Sequence, residues 1–218
     1  MPSPAYALHH PFFSWYSLSW FGDTALLLPA GLALGIALLL RSESRGLALR
    51  WALAFGTTGL LAMSTKIAFM GWGIGSAALD FTGLSGHSAL SAAFWPVAGW
   101  MGTQRRSVAL RTTAIGLGVL LALAIGVSRL ALGVHSFSEV VLGLLVGGGT
   151  SFWFISGIKR DPPRRTTFAP AVLIVIALIA VLQHGRPAPT TALLETTVIR
   201  VLGVSKPFTR QDLHLRQS

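Results

Sequence analysis

The sequence predicts an all-α protein: a polytopic transmembrane helix bundle of about six membrane-spanning helices, forming one integral-membrane domain over residues 1–218. Three observations carry this. Only 11% of the 218 residues are charged and 52% are hydrophobic, whereas a soluble domain carries roughly 25% charged residues. The mean hydropathy is +0.65. Several apolar runs approach the roughly 20 residues that a helix needs to cross the hydrocarbon of a bilayer. The sequence contains no cysteine, which excludes a disulfide framework and a thiolate metal site. The net charge of +10 raises the question of nucleic acid. The basic residues, however, fall in short clusters between apolar runs and not along one polar face, so no nucleic-acid partner is expected.

The elements follow in chain order. Residues 1–22 lack a basic n-region and a small-residue cleavage site, which makes them a poor signal peptide. Their His9, His10, Phe12, Phe13, Trp15, Tyr16, Trp20 and Phe21 read as an aromatic interfacial segment. Apolar runs then predict helices over 24–40, 47–66, 88–102, 108–127, 140–158 and 168–184. Arg41, Arg45 and Arg50 flank the first turn between them, and Arg105, Arg106 and Arg111 the third. Lys159, Arg160, Arg164 and Arg165 flank the fifth, where Pro162-Pro163 also breaks the helix. Ten of the 17 Lys and Arg residues therefore share one side, which the positive-inside rule makes cytoplasmic. Both termini fall on the opposite, extracytoplasmic side of a bacterial cytoplasmic membrane. The tail over 185–218 mixes apolar and polar residues as an amphipathic helix on that outer surface would.

Two constellations concentrate polar chemistry at the outer ends of these helices. The first is Ser85-Gly86-His87; the second is Ser128-Arg129, with His135 and Glu139 following. His135 and Glu139 are four apart, a spacing that lets side chains touch on one helix face. A carboxylate that accepts from one imidazole nitrogen fixes the tautomer and leaves the other nitrogen nucleophilic. Arg129 offers a planar fork for two phosphate oxygens. Ser85 and Gly86 precede a predicted helix, where a hydroxyl and backbone N–H groups cradle an anion. His87 is placed to protonate a leaving oxygen, and Lys66, at the outer end of the second helix, adds positive charge. Each has a plainer reading alone: Ser85 as an N-cap, His87 as an interfacial histidine, Lys66 as a snorkelling lysine. Their occurrence together near hydrocarbon, where ionisable groups are costly, favours function.

These residues resemble the type 2 phosphatidic acid phosphatase superfamily, which also contains haloperoxidases. Its signature runs K-x6-R-P, then P-S-G-H, then S-R-x5-H-x3-D. Here the second motif reads Leu84-Ser85-Gly86-His87 and the third Ser128-Arg129-x5-His135-x3-Glu139, with Lys66 standing at the lysine of the first. The resemblance covers residues 50–150 as a catalytic core. It implies that His135 attacks phosphorus to form a phosphohistidine, that His87 serves as general acid, and that Glu139 orients the nucleophile. It implies further that Lys66, Ser85, Gly86 and Arg129 hold the phosphate, with no metal and no cofactor.

Three departures from the pattern stand out. Gly73-Ile74 replaces Arg-Pro, Leu84 replaces proline, and Glu139 replaces aspartate. Arg186, followed by Pro187, is a candidate replacement for the missing guanidinium, and Asp80 reads as a loop or cap residue. The expected function is that of a metal-independent membrane lipid phosphatase. Its partner would be a lipid phosphate: undecaprenyl pyrophosphate, phosphatidic acid, phosphatidylglycerol phosphate or a lipid A-like phosphate. A lipid phosphotransferase using the same site, or a non-catalytic lipid transporter or scaffold, are the alternatives. The hydrophobic spans exclude a soluble vanadate-dependent peroxidase.

Overall fold

The computed structural model describes residues 14–40, 45–158 and 190–215. Among these residues the regular structure is helical, apart from one isolated bridge between Ser76 and Phe81. A short α1 (Trp15–Trp20) leads into α2 (Thr24–Leu39), α3 (Arg45–Trp72), α4 (Gly86–Thr103), α5 (Val108–Ala131) and α6 (Phe137–Ser156). After the undescribed stretch come α7 (Thr190–Leu202) and α8 (Arg210–Leu215). Four helical stretches are long and apolar enough to cross a membrane: Trp15–Leu39, Arg45–Trp72, Val108–Ala131 and Phe137–Ser156. This is a helical integral-membrane bundle. The predicted helix at 168–184 lies outside the described residues.

The remaining predicted span, α4, is the hub of the bundle. Ala89, Ala93, Phe94 and Val97 are fully buried, as α5 and α6 pack along its sides and α2 and α3 complete its surroundings. A helix enclosed by protein needs little hydropathy of its own, which is why small and polar residues such as Ser88 and Ser91 are accommodated in it. The contact with α6 is backbone-close at Gly147, where an added Cβ would lie 2.0 Å from the Ala89 carbonyl oxygen. Gly147→Ala should therefore force α4 and α6 apart and cost about 1–3 kcal/mol. Thermal unfolding in detergent reads this loss directly. Gly149→Ala, beside open space, should leave the melting point nearly unchanged.

At the basic end, Trp51 anchors the core. It stacks on Phe55 at 4.9 Å, meets Phe154 edge-on at 5.4 Å, and donates from Nε1 to the Gly31 carbonyl at 2.7 Å. Arg50, the residue before Trp51 in α3, lies 3.9 Å above the Trp153 ring and donates to the Trp153 carbonyl. That carbonyl, in the last turn of α6, also accepts from the Ser156 hydroxyl at 3.1 Å, so Arg50 adds a second donor to it. The Arg50 bond also joins the start of α3 to the end of α6. Exposed Leu32, Leu53, Leu60, Leu117, Leu120 and Leu145 form the outer apolar surface, as lipid contact requires.

Three element ends differ from the sequence expectation, each by capping. Helix α3 continues past residue 66 to Trp72, so Lys66 lies inside the helix and not at its end. Helix α5 runs on to Ala131, which puts Arg129 in its last turn. Helix α6 starts at Phe137, ahead of the expected 140, with Ser136 as its cap; His135 still precedes the helix, so it shares no helix face with Glu139.

Candidate active site

The site forms at the end of the bundle opposite the basic clusters. The 73–85 loop and the start of α4 meet there the 132–136 turn between α5 and α6, the α1–α2 link and, from the far end of the chain, α8.

Glu139 is its centre. Ser136 and Glu139 form a reciprocal capping box at the start of α6, which sets the carboxylate over the turn that carries His135. His135 Nδ1 lies 2.6 Å from Glu139 Oε2. A carboxylate only accepts, so Nδ1 carries the proton and the Nε2 lone pair is free for chemistry. The other oxygen, Oε1, accepts from the Thr82 N–H at 2.7 Å, the Thr82 hydroxyl at 2.6 Å and Arg210 at 2.8 Å. Glu139 is fully buried, and donors face both of its oxygens. The contact foreseen between His135 and Glu139 is thus present, made through a helix cap and not along a helix face.

The second histidine sits opposite. Ser85 caps α4, fully buried, and its Oγ accepts from the Ser88 hydroxyl at 2.9 Å. Gly86 and His87 open the first turn. His87 Nε2 lies 3.6 Å from Asp23 Oδ2. Asp23 is itself buried and holds its place as the N-cap of α2, accepting from the Ala25 N–H at 2.8 Å. Arg129 donates to Ser19 Oγ at 2.5 Å and is within electrostatic reach of Asp23, His87 and His135. Lys66 Nζ approaches Thr82 Oγ1 at 3.5 Å. The structure therefore brings Lys66, Ser85, Gly86, His87, Arg129, His135 and Glu139 to one end of the bundle. Arg186 lies outside the described residues.

In the turn, outside the helices, His135 has its pKa below the usual histidine value. Burial is the leading cause and the charges of Lys66 and Arg129 add to it, against the opposing pull of Glu139.

Comparison with known proteins gives the family. The profile of the PAP2 superfamily matches residues 72–163. An uncharacterised 22.5 kDa protein from the cps region of Klebsiella pneumoniae is 47% identical over 205 residues, covering 92% of this chain and 98% of that protein. This chain belongs to the PAP2 superfamily. No solved structure matches it. Members of the PAP2 superfamily are generally phosphatases, which points to a phosphatase-type activity in this membrane protein.

The departures from the PAP2 pattern now have physical readings. Gly73, where the signature expects arginine, ends α3 at φ +69 with its N–H bonded to the Phe69 carbonyl at 2.8 Å. A left-handed helix stop suits glycine and penalises a side chain by roughly 1–2 kcal/mol. Leu84, in place of proline, donates its N–H to Thr65 Oγ1 at 3.0 Å, a bond that proline lacks the hydrogen to make. Asp80 adopts φ +47 in the loop, and Arg210 and His214 bind its carboxylate.

Sequence reasoning missed three residues of the site: Asp23, Thr82 and Arg210. Asp23 was legible only as a cap before an apolar run. Thr209 and Asp212, which cap each other around the start of α8, give a T-x-x-D signal for a helix start but none for where Arg210 goes.

Proposed function

We propose that this PAP2 protein hydrolyses a phosphate monoester or diphosphate of a lipid through a phosphohistidine on His135. The observation that carries this reading is the pair of imidazoles, each beside its own buried carboxylate, with Lys66 and Arg129 close by. His135 Nε2 attacks phosphorus as the bond to the lipid oxygen breaks, and His87 gives that oxygen its proton. Water, giving a proton to the now neutral His87, then attacks phosphorus; the N–P bond breaks, its electron pair returns to His135 Nε2, and inorganic phosphate leaves. Lys66, Arg129, the Ser85 hydroxyl and the backbone N–H groups at the start of α4 offset the charge on the transferred phosphoryl oxygens, so no metal is called for. Among the described residues none accepts from the buried Nε of Arg129. A buried donor in that state is costly, and a phosphate oxygen would relieve it.

A lipid substrate is supported by an apolar cavity of about 420 Å³ between α4, α5 and α6, whose lining includes Ala92, Val119, Leu123, Leu144 and Phe152. Its upper lining, at Ala92 and Leu144, is five residues along the helices from His87 and Glu139, about 7.5 Å at helical rise. Exposed Leu123 and Phe152 open it toward the bilayer. The basic clusters at the far end favour a cytoplasmic location for that end, with the site and both termini facing outward. Undecaprenyl pyrophosphate, phosphatidic acid and phosphatidylglycerol phosphate all fit a phosphate head over an apolar groove.

The test is phosphate release by detergent-purified protein from a panel of these lipids, with a water-soluble aryl phosphate beside them. Preferential release from one lipid supports the reading; no release from any of them refutes it. The pH profile gives a second check. His135 must be neutral to attack, and its pKa lies below the usual value. The acid limb of kcat/KM should accordingly fall below the ordinary histidine value of about 6.5, with activity lost as pH drops through it.

A further inference from the structure

We propose that Arg210, delivered by the C-terminal helix α8, is a positioning residue of this site. It grips the Glu139 oxygen that His135 does not use, and so holds the Glu139–His135 pair in its attacking geometry. The inference rests on the phosphohistidine reading above.

The contacts are specific. One terminal nitrogen of Arg210 donates to Glu139 Oε1 at 2.8 Å and approaches Thr82 Oγ1 at 3.4 Å. The other donates to the Asp80 carbonyl at 2.8 Å and pairs with the Asp80 carboxylate. Arg210 thereby ties the loop before Ser85 to the first turn of α6, the two segments that present the two motifs. His214, one turn on in α8, holds the other oxygen of Asp80 at 2.9 Å.

The tail is docked well enough to do this. The Phe208 N–H donates to the Met70 carbonyl at 2.9 Å, and Leu213 and Val198 bury against Phe69 and Met70 at the end of α3. A guanidinium absent at Gly73, where α3 stops, is thus present at Glu139 from a different part of the chain. Its contact with Glu139 Oε1 is the route by which it acts on His135, which uses the other oxygen of the same carboxylate.

The charge consequence has a definite sign. His135 is faced by Glu139 from α6, Lys66 from α3, Arg129 from α5 and His87 from α4. Arg210 acts on it through Glu139, Asp80 and His214 face Arg210, and Asp23 faces His87. Removing Arg210 leaves the carboxylate with less positive charge around it, so His135 takes up a proton more readily and at higher pH.

The experiment compares full-length, detergent-purified wild type with Arg210→Ala, Arg210→Lys and, as a control, Arg200→Ala on the exposed face of α7. His135 is followed by peptide-resolved diethylpyrocarbonate labelling against pH, which needs no substrate. In Arg210→Ala its apparent pKa should rise by about one unit, and Arg210→Lys should recover most of that shift. On whichever lipid phosphate the wild type cleaves, kcat should fall on the order of 100-fold with KM little changed, and Arg200→Ala should match wild type. Should Arg210→Ala unfold, Arg210→Gln keeps donor groups while removing the charge and carries the same two readouts. An unshifted His135 titration in a folded variant overturns the proposal, as does a loss confined to KM. If the wild type cleaves no lipid, the phosphatase reading fails while the labelling result still decides the role of Arg210.

Discussion

His135→Ala should abolish phosphate release, by at least about 10⁴-fold in kcat, with little change in folding. The magnitude follows from the role: removing a covalent nucleophile leaves only the binding and charge stabilisation around it. The small structural effect follows from Glu139. Without the imidazole, that carboxylate still accepts from both Thr82 donors, from Arg210 and from the Ser136 N–H at 3.2 Å. The buried charge therefore stays paired, and the melting point in detergent should move by a few degrees at most. The paired measurement is lipid-phosphate turnover beside thermal unfolding. Retention of a tenth of wild-type activity would remove His135 from the nucleophile's place.

Glu139→Gln should damage both activity and stability. Donors surround both oxygens of Glu139, with His135 and Ser136 on one side and Thr82 and Arg210 on the other. An amide must turn its NH2 toward one of these pairs, leaving donor against donor. Breaking a buried charged pair in this way costs about 3–5 kcal/mol. If the NH2 faces His135, the imidazole must accept at Nδ1 and carry its proton on Nε2, which removes the attacking lone pair. A wrong tautomer of this kind lowers kcat on the order of 10⁴-fold in the serine-protease triad, the known precedent. Glu139→Asp keeps the charge and loses one methylene of reach, so it should retain more of both. Turnover and denaturant unfolding of the two variants check this: equal, small effects would show that Glu139 does not set the tautomer.

The two variants separate contributions that one structure shows together. His135→Ala removes chemistry and spares the network, whereas Glu139→Gln keeps volume and breaks the network. Arg210 belongs to the same network, since it shares Glu139 Oε1 with Thr82. Its substitution and that of Glu139 should therefore be non-additive, as neighbours that share a partner are.

The sequence by itself determined a good deal. Apolar runs and basic clusters defined a helical membrane bundle, because hydrocarbon demands continuous helices about 20 residues long wherever the chain crosses it. The motif residues were legible because their chemistry is local: Ser85 caps the helix that His87 opens, and His135 reaches Glu139 four residues away. Tertiary structure decided what surrounds them. Arg210 meets Glu139 across 71 positions, and Arg129 meets Ser19 across 110. The Leu84 N–H finds Thr65 in another element, which turns an unexplained departure from proline into a hydrogen bond. Periodicity and capping act within a turn or two of the chain and can be read along it. Which distant carboxylate a buried histidine or arginine meets depends on how whole helices pack, and in this bundle that packing turns on small residues such as Gly147 that let backbones touch.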